Sequence, residues 1–234
     1  MNDILSSDLI KEFTKNKTGL IGIGILLTLV MISLIAAVAV PIDTFKQWNN
    51  PSNWISYPKT SMPIWVNYFV AEKIPEHVII ENPATISKEG EISVTSHQFE
   101  VEFLSDDFPN GFIYEFTAEY SGSPLLQIHV VRPDQAKILL LSTALPNSET
   151  KIVHSERIFS TDDTIRKNIQ IQSAEMEFYR EGIPNEDLIF ASNDKKILKG
   201  NYLFLVNLYD VNEYAKIINS KLILGGKVFG IMGT

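Results

Sequence analysis

The sequence predicts one N-terminal transmembrane α-helix followed by a mainly β extracytoplasmic domain, which we expect to be an antiparallel sandwich containing one helix. Three observations favour this fold class. A run of 22 residues without a charge lies near the start of the 234-residue chain. Further along, apolar residues alternate with polar ones, as they do in half-buried strands. A single later stretch, at about 161–181, has its apolar residues at helical spacing instead.

Composition excludes several classes of function. The chain is 45% apolar, and its formal net charge of −8 belongs wholly to residues 41–234, because residues 1–40 hold three cations and three anions. It contains no long run of lysine and arginine, so we expect no nucleic acid partner. It also has no cysteine, which excludes disulfides, zinc–thiolate sites, iron–sulfur clusters and thiol nucleophiles.

The chain divides into four predicted parts. These are a cytoplasmic amphipathic leader at 1–18, a transmembrane helix at 19–40, a Trp/Pro-rich membrane-proximal segment at 41–83 and an extracytoplasmic β-rich domain at 84–234. The apolar residues of the leader share one helical face, as on a membrane-surface helix, and they are Leu5, Leu9, Ile10 and Phe13. Three lysines precede the span and two follow it closely, which favours an N-terminus in the cytoplasm.

Residues 19–40 are long enough to cross a bilayer as a helix. At about 1.5 Å per residue they extend roughly 33 Å, against about 30 Å of hydrocarbon. Their polar side chains, Thr28 and Ser33, can bond to carbonyls one turn earlier, and Pro41 ends the helix. A cleaved signal peptide is the alternative, since Ala37-Val38-Ala39 has the form of a processing site. The apolar region of a signal peptide, however, usually has only about 7–15 residues.

Three glycines near the start of the span have the spacing G-x-x-G-x-G, and they are Gly19, Gly22 and Gly24. No predicted strand precedes them and no acidic residue follows in a βαβ context, so a nucleotide-binding loop is not expected. Small residues in a membrane helix allow a second helix to approach closely. We therefore predict a packing partner inside the membrane.

The segment at 41–83 contains all three tryptophans together with several prolines. Two interpretations stay open. Amphipathic rings directly after a span suit the lipid headgroup layer, where the stiff segment would lie along the membrane surface or against another subunit. The rings would otherwise belong to the core of the following domain. They are Trp48, Trp54, Tyr57, Trp65, Tyr68 and Phe69.

Alternation is clearest in the stretches 99–103 and 112–120. Asn110-Gly111 lies between them, and Asn-Gly between alternating runs predicts a hairpin. Further strands are predicted at 125–131, 136–141, 188–191, 201–209 and 221–224. The helix at about 161–181 is expected to begin behind Thr161 or Asp162. The residues at helical spacing within it are Ile165, Ile169, Gln172, Met176 and Tyr179.

We predict no catalytic, cofactor-binding or metal-ligating residues, and the chain is not expected to be an enzyme. No two histidines are three or four residues apart, and they are His77, His97, His129 and His154. The acidic doublets Asp106-Asp107 and Asp162-Asp163 are explained by a turn and by a helix start. The sequence contains neither a G-x-S-x-G elbow nor a G-x-x-x-x-G-K-[ST] loop, so it has none of these motifs for hydrolase or ATPase chemistry.

Two stretches of the chain have counterparts in one protein family. The first is Phe13-Thr-Lys15-Asn-Lys17-Thr-Gly19-Leu-Ile-Gly22, and the second is Gly226-Lys-Val-Phe-Gly-Ile-Met-Gly-Thr234. They resemble, respectively, the basic leader of the first helix and the segment before the D-x-x-G-R-D signature in OppC/DppC-type permease subunits of peptide ABC importers. Residues 198–209 are similar to a strand in members with an enlarged extracytoplasmic insert between helices one and two.

The resemblance implies a second permease subunit, two cytoplasmic ATPase subunits and a solute-binding protein as partners, and peptides as the transported molecules. The 234 residues stop before the signature and the remaining helices. We therefore expect no translocation by this chain alone, and a split subunit, a truncated product and a relic all fit. The alternative function is a single-pass membrane-anchored β-domain for binding or envelope structure, unrelated to transport.

Overall fold

The computed structural model describes residues 16–47, 50, 54, 56, 61–81, 83–88, 92–174, 185–191, 196–211 and 215–226. The chain divides into two compact units, Met1–Ile55 and Ser56–Thr234. The first contains an apolar helix and the second contains a β-sandwich. Residues 1–15 of the predicted leader lie outside the described residues.

The predicted apolar helix is present as α1, Lys17–Ala39. The hydroxyl of Thr28 donates to the carbonyl of Gly24 one turn earlier (2.8 Å), as expected for a polar side chain in such a helix. None of the α1 residues is buried within the protein. Its length and composition suit a membrane anchor or a signal sequence. A short helix, α2 (Ile42–Gln47), follows Pro41.

The strands in the described part of the chain form two antiparallel sheets, which confirms the predicted sandwich. One sheet has four strands in the order β1-β9-β4-β7, and the other has five in the order β2-β3-β8-β5-β6. The strands are β1 (Val78–Ile80), β2 (Ala84–Lys88), β3 (Ser93–Phe103), β4 (Phe112–Gly122), β5 (Leu125–Val131), β6 (Lys137–Ala144), β7 (Ser148–Phe159), β8 (Gly200–Asp210) and β9 (Lys216–Leu224).

Alternation along the strands fills the space between the two sheets. The buried residues of β4 are Phe112, Tyr114, Phe116, Ala118 and Tyr120, and the residues between them are only half-buried. Rings from the two sheets meet in this layer, with centroids 5.6 Å apart for Phe112 and Phe204 and 5.9 Å apart for Phe99 and Tyr114. Burial of each large apolar side chain contributes about 1.5–3 kcal/mol to folding. The aromatic layer is therefore a main source of stability.

The predicted hairpin at Asn110-Gly111 is wrong, because β3 and β4 belong to different sheets. Both strands bury one face, and packing those faces together places the strands in opposite layers. The Asn-Gly pair instead contacts the end of β9. Asn110 donates its N–H to the carbonyl of Gly225 (2.9 Å), and Gly225 donates to the carbonyl of Gly111 (2.7 Å). Glycine suits position 111, where φ is +139°.

The predicted helix is present as α3, Asp163–Ala174. Ile165 and Ile169 are fully buried against the sandwich. The side chain of Gln172 accepts from the N–H of Leu139 and donates to the carbonyl of the same residue, both at 2.8 Å. It thereby ties the helix to β6. Met176 and Tyr179 lie outside the described residues.

The strand predicted at 188–191 is also wrong, because Asn185–Phe190 forms a short helix, α4. A run of this length is compatible with a buried strand or a buried helix, since both are apolar on all sides. A side chain that is distant in sequence stabilises the helical form. Arg132, only 1% exposed, donates to the carbonyls of Leu188 (3.3 Å) and Ala191 (2.7 Å) at the end of the helix. A cation at a helix C-terminus satisfies carbonyls that have no helical partner.

Three strands have no counterpart among the predictions, namely β1, β2 and β7. β7 is an edge strand of 12 residues whose exposed positions lie on both faces, so it lacks the period of two. β1 is only three residues long. β6 continues beyond its predicted end by residues that are at least partly exposed, and β9 begins before its predicted start at residues where buried and exposed positions alternate irregularly. The predicted span of β5 matches the observed strand.

Candidate functional site

The outer face of the four-stranded sheet carries an open groove with a volume of about 790 Å³. We call it the charged groove. It lies on that face because the residues of β4, β7 and β9 that alternate with core residues point away from the core. Its chief lining residues are Glu81, Glu115, Thr117, Ser155, Arg157 and Lys221.

Glu115 lies at the centre of the charged groove between two cations. Arg157 on β7 and Lys221 on β9 stand directly opposite it in the strand registers. The guanidinium Nε of Arg157 lies 2.8 Å from one carboxylate oxygen, and Nζ of Lys221 lies 2.9 Å from the other. The hydroxyl of Ser56 also donates to this carboxylate (3.1 Å). Cross-strand pairs of opposite charge stabilise a sheet and fix its register.

A second carboxylate on the same strand repeats this arrangement. Glu119 pairs with Lys151 at 2.8 Å and with Lys216 at 2.9 Å. Hydrogen bonds from these two lysines lower the pKa of Glu119. The outer face of this sheet therefore carries a row of alternating charges, which suits recognition of a polar partner.

The groove residues lack the arrangement needed for nucleophilic catalysis. The hydroxyls of Ser155 and Thr117 bond to each other (2.8 Å), and His154 bonds to Glu156 (3.2 Å). Within the described residues, the serine–histidine hydrogen bond between Ser220 and His97 (2.7 Å) is buried between the sheets, where a substrate has no access. A nucleophile must reach its substrate, so this contact is structural.

The structure does not bring the four histidines together. His77 bonds to the carbonyl of Ser56 (2.7 Å), His154 lies on β7, and burial lowers the pKa of both His97 and His129. The described residues contain no cluster of histidine and carboxylate side chains suited to a metal ion.

The acidic doublets lie in a loop and at a helix start. Asp106 accepts from the N–H of Lys73 (2.7 Å) and forms an ion pair with Lys199, and these two contacts lower its pKa. Asp162 accepts from the N–H of Phe159 (3.0 Å), and its carbonyl accepts the first helical bond of α3. Both carboxylates therefore hold backbone in place.

A second surface is formed by the 3-10 helix Ile64–Tyr68 and the following Phe69, which together we call the aromatic segment. Its rings project from the sandwich, with Trp65 60% exposed, Tyr68 82% and Phe69 80%. Trp65 and Phe69 meet edge to face with centroids 6.1 Å apart. Of the two interpretations of this part of the sequence, the structure excludes core placement for these three rings. Trp48 and Tyr57 lie outside the described residues.

The aromatic segment is fixed by hydrogen bonds. The side-chain amide of Asn67 donates to the carbonyl of Ile74 and to the carboxylate of Glu76, both at 3.1 Å. Its side-chain oxygen accepts from the N–H of Ile74 (2.9 Å). Lys73 donates to the main-chain carbonyl of Asn67. These bonds fix the backbone that carries the exposed rings.

A pocket of about 440 Å³ lies behind the aromatic segment. It lies at the end of the sandwich where β3 and β9 end. The apolar residues that line it are Ile64, Tyr68, Ile74, Val78, Val101, Phe103, Leu104 and Leu224. Leu104 is itself 56% exposed, so it extends the apolar surface beyond the rings.

No protein-family model and no curated protein matches the chain. A structure of infectious bursal disease virus, Gx strain, matches with a TM-score of 0.32 and 10% identity over 69% of this chain, which spans 34% of that chain. TmCBM61 in complex with β-1,4-galactotriose matches with a TM-score of 0.26 and 8% identity, over 74% of this chain and 97% of that one. The carbohydrate-binding module CBM28, specific for non-crystalline cellulose, matches with a TM-score of 0.28 and 6% identity, over 68% of this chain and 86% of that one. All three TM-scores are low.

Proposed function

We propose that the chain supplies the first transmembrane helix and an extracytoplasmic domain of a permease subunit in a peptide ABC importer. In this proposal α1 crosses the cell membrane with its N-terminus in the cytoplasm, and the β-sandwich lies outside. The partners are a second permease subunit, two cytoplasmic ATPase subunits and a solute-binding protein. The residue patterns at 13–22 and 226–234 support the assignment to this family.

The observation that carries the proposal is the pairing of the first and last strands of the sandwich. β1 and β9 are antiparallel neighbours, with Val78 opposite Leu224. A Cβ on Gly226 would lie 2.7 Å from the backbone nitrogen of His77, so the residue just after β9 lies beside the residue just before β1. A domain inserted between two transmembrane helices needs adjacent ends, because both connections return to the same bilayer surface.

Within this proposal, the charged groove is the docking surface for the solute-binding protein. Its ion pairs are partly exposed, and Glu115 and Glu119 alternate with cations along the sheet. Complementary charges accelerate the encounter of two proteins and fix their register. Such an interaction weakens as salt rises, because ions screen charges beyond about 10 Å at 0.1 M ionic strength.

The test is purification of the tagged full-length chain from its own cells in mild detergent, followed by identification of what copurifies. We expect importer permease and ATPase subunits, with the solute-binding protein lost first as salt is raised. A comparison variant carries Gly22→Leu and Gly24→Leu. These substitutions leave the sandwich unchanged but prevent a second helix from approaching α1 closely. The variant is expected to retain less permease. A monomeric chain, with an intact importer purifying separately from the same cells, would contradict the proposal.

A second candidate is a single-pass anchored β-domain that binds a ligand or supports the envelope without transport. The observation that favours it is that Ser56–Thr234 forms a compact unit with its own core. It predicts that the purified chain contains no importer subunit and that deletion of the gene leaves peptide uptake unchanged. The copurification experiment therefore separates the two candidates.

A further inference from the structure

We infer that the aromatic segment docks into the headgroup layer of the bilayer that holds α1. The inference rests on anchoring by α1 and not on membership of an importer. Its starting observation is a cluster of large apolar side chains that the sandwich leaves uncovered. Ile64, Trp65, Tyr68 and Phe69 are each more than half exposed, and Leu104 lies beside them.

The chemistry of the cluster favours a lipid interface over water. Trp and Tyr concentrate at membrane–water boundaries, because their rings are apolar and each retains a polar group for the headgroups. Trp65 and Tyr68 provide this combination, and Ile64 and Phe69 add purely apolar surface between them. A contiguous apolar patch of this kind marks an interaction surface in a folded domain.

The polar groups beneath the cluster are paired with one another. The Asn67 amide and the Glu76 carboxylate bond to each other, while Lys73 donates to the Asn67 carbonyl. Asp106 binds the Lys73 N–H and pairs with Lys199. The projecting part of the segment therefore consists of neutral rings, and no bond in this support needs to break for the rings to enter the headgroup layer.

Two features identify the bilayer as the occupant. Only 23 residues separate Val40, at the end of α1, from Ile64, so an anchored chain keeps the segment within reach of the membrane. The pocket behind the rings is lined by Val78 and Leu224, the residues that mark the two ends of the sandwich. The aromatic segment therefore lies at the end of the sandwich where β1 begins and β9 ends.

The test uses the tryptophan fluorescence of the full-length chain in phosphatidylcholine vesicles. Trp48→Phe and Trp54→Phe leave Trp65 as the single tryptophan. The matched control adds Trp65→Phe and Val153→Trp, because Val153 on β7 is 63% exposed and so resembles Trp65 in exposure. Each protein is measured in ordinary and in brominated phosphatidylcholine, and again with iodide in the water.

We expect brominated lipid to remove most of the Trp65 emission and iodide to remove little of it, with the opposite result for the Val153→Trp control. Equal quenching of both proteins by iodide, with none by brominated lipid, overturns the inference. Protection of Trp65 from both quenchers also overturns it, since the ring is then covered by protein. If the chain does not float with the vesicles, the anchored state on which the inference rests is itself refuted.

Discussion

The imidazole Nδ1 of His97 and the hydroxyl of Ser220 lie 2.7 Å apart and join the two sheets of the sandwich through its interior. His97 belongs to β3 of the five-stranded sheet, and Ser220 belongs to β9 of the four-stranded sheet. Both side chains are buried. A buried polar pair of this kind requires a neutral imidazole, because a charge in the core carries a large desolvation cost.

The first prediction concerns pH. Burial lowers the pKa of His97, and of His129, from the ordinary value of 6.5, so the unfolded chain binds more protons than the folded one. The stability that these neutral histidines contribute is therefore fully present above pH 6.5. It is lost as the pH drops from there toward the lowered pKa values, so the free energy of unfolding falls. Urea unfolding of the full chain in detergent, measured between neutral and mildly acidic pH, checks this.

The matched control is Ser155→Ala, since Ser155 lines the charged groove and carries no group that titrates in this range, so its replacement should leave the pH dependence intact. His97→Gln should reduce the dependence. A free energy of unfolding that rises on acidification through the same range would contradict the assignment of a neutral, buried His97.

The second prediction concerns Arg132. Arg132→Met removes the donors that satisfy the carbonyls of Leu188 and Ala191, and we expect it to lower the free energy of unfolding by roughly 2–4 kcal/mol. The control is Arg157→Met, whose guanidinium is partly exposed in the charged groove and should cost about 1 kcal/mol or less. Equal losses from the two substitutions would show that the Arg132 bonds do not hold α4.

The third prediction concerns the adjacent ends of the sandwich. Gly226→Ala places a methyl group 2.7 Å from the backbone nitrogen of His77 and 3.1 Å from the carbonyl carbon of Glu76. Because backbone must move to admit it, we expect a loss of about 1–3 kcal/mol in the free energy of unfolding. Gly22→Ala, which meets nothing within 4 Å, is the control for thermal unfolding of the sandwich. Equal free energies of unfolding for the two variants would show that the two ends of the sandwich are not adjacent.

The fourth prediction concerns Glu115. Glu115→Gln removes the charge that Arg157 and Lys221 share, and we expect it to cost about 1–2 kcal/mol because this carboxylate is only 14% exposed. Glu149→Gln, on an exposed part of β7, should change stability by less than about 0.5 kcal/mol. The difference between the variants should shrink at high salt, and a difference that grows with salt would exclude an electrostatic origin.

Local pattern was enough to predict some elements and not others. α1 was predictable because it is an uninterrupted apolar run of helical length, and β4 was predictable because apolar and polar residues alternate along a half-buried sheet face. Asn110-Gly111 misled because an Asn-Gly pair specifies a tight bend but not which strand it pairs with. The run at 188–191 misled because Arg132, distant in sequence, stabilises its helical form.

The buried polar contact between the sheets and the candidate surfaces both depend on residues that are distant in sequence, so a local pattern could not predict them. His97 and Ser220 are separated by 123 positions, so only the pairing of the sheets brings them together. The ion pairs of Glu115 likewise depend on the registers of β7 and β9. The sequence left the placement of the Trp65 ring open, because a tryptophan among prolines is compatible both with a core and with an exposed surface.

The central claim is that α1 remains in the membrane and holds the β-sandwich outside the cell. Because the chain has no cysteine, Val211→Cys in the sandwich and Ser6→Cys in the leader give two single thiol probes. In intact cells we expect an impermeant maleimide to label an uncleaved, membrane-bound chain at position 211 and not at position 6. Labelling at position 6 alone, or a shortened chain in the soluble fraction, would contradict the account.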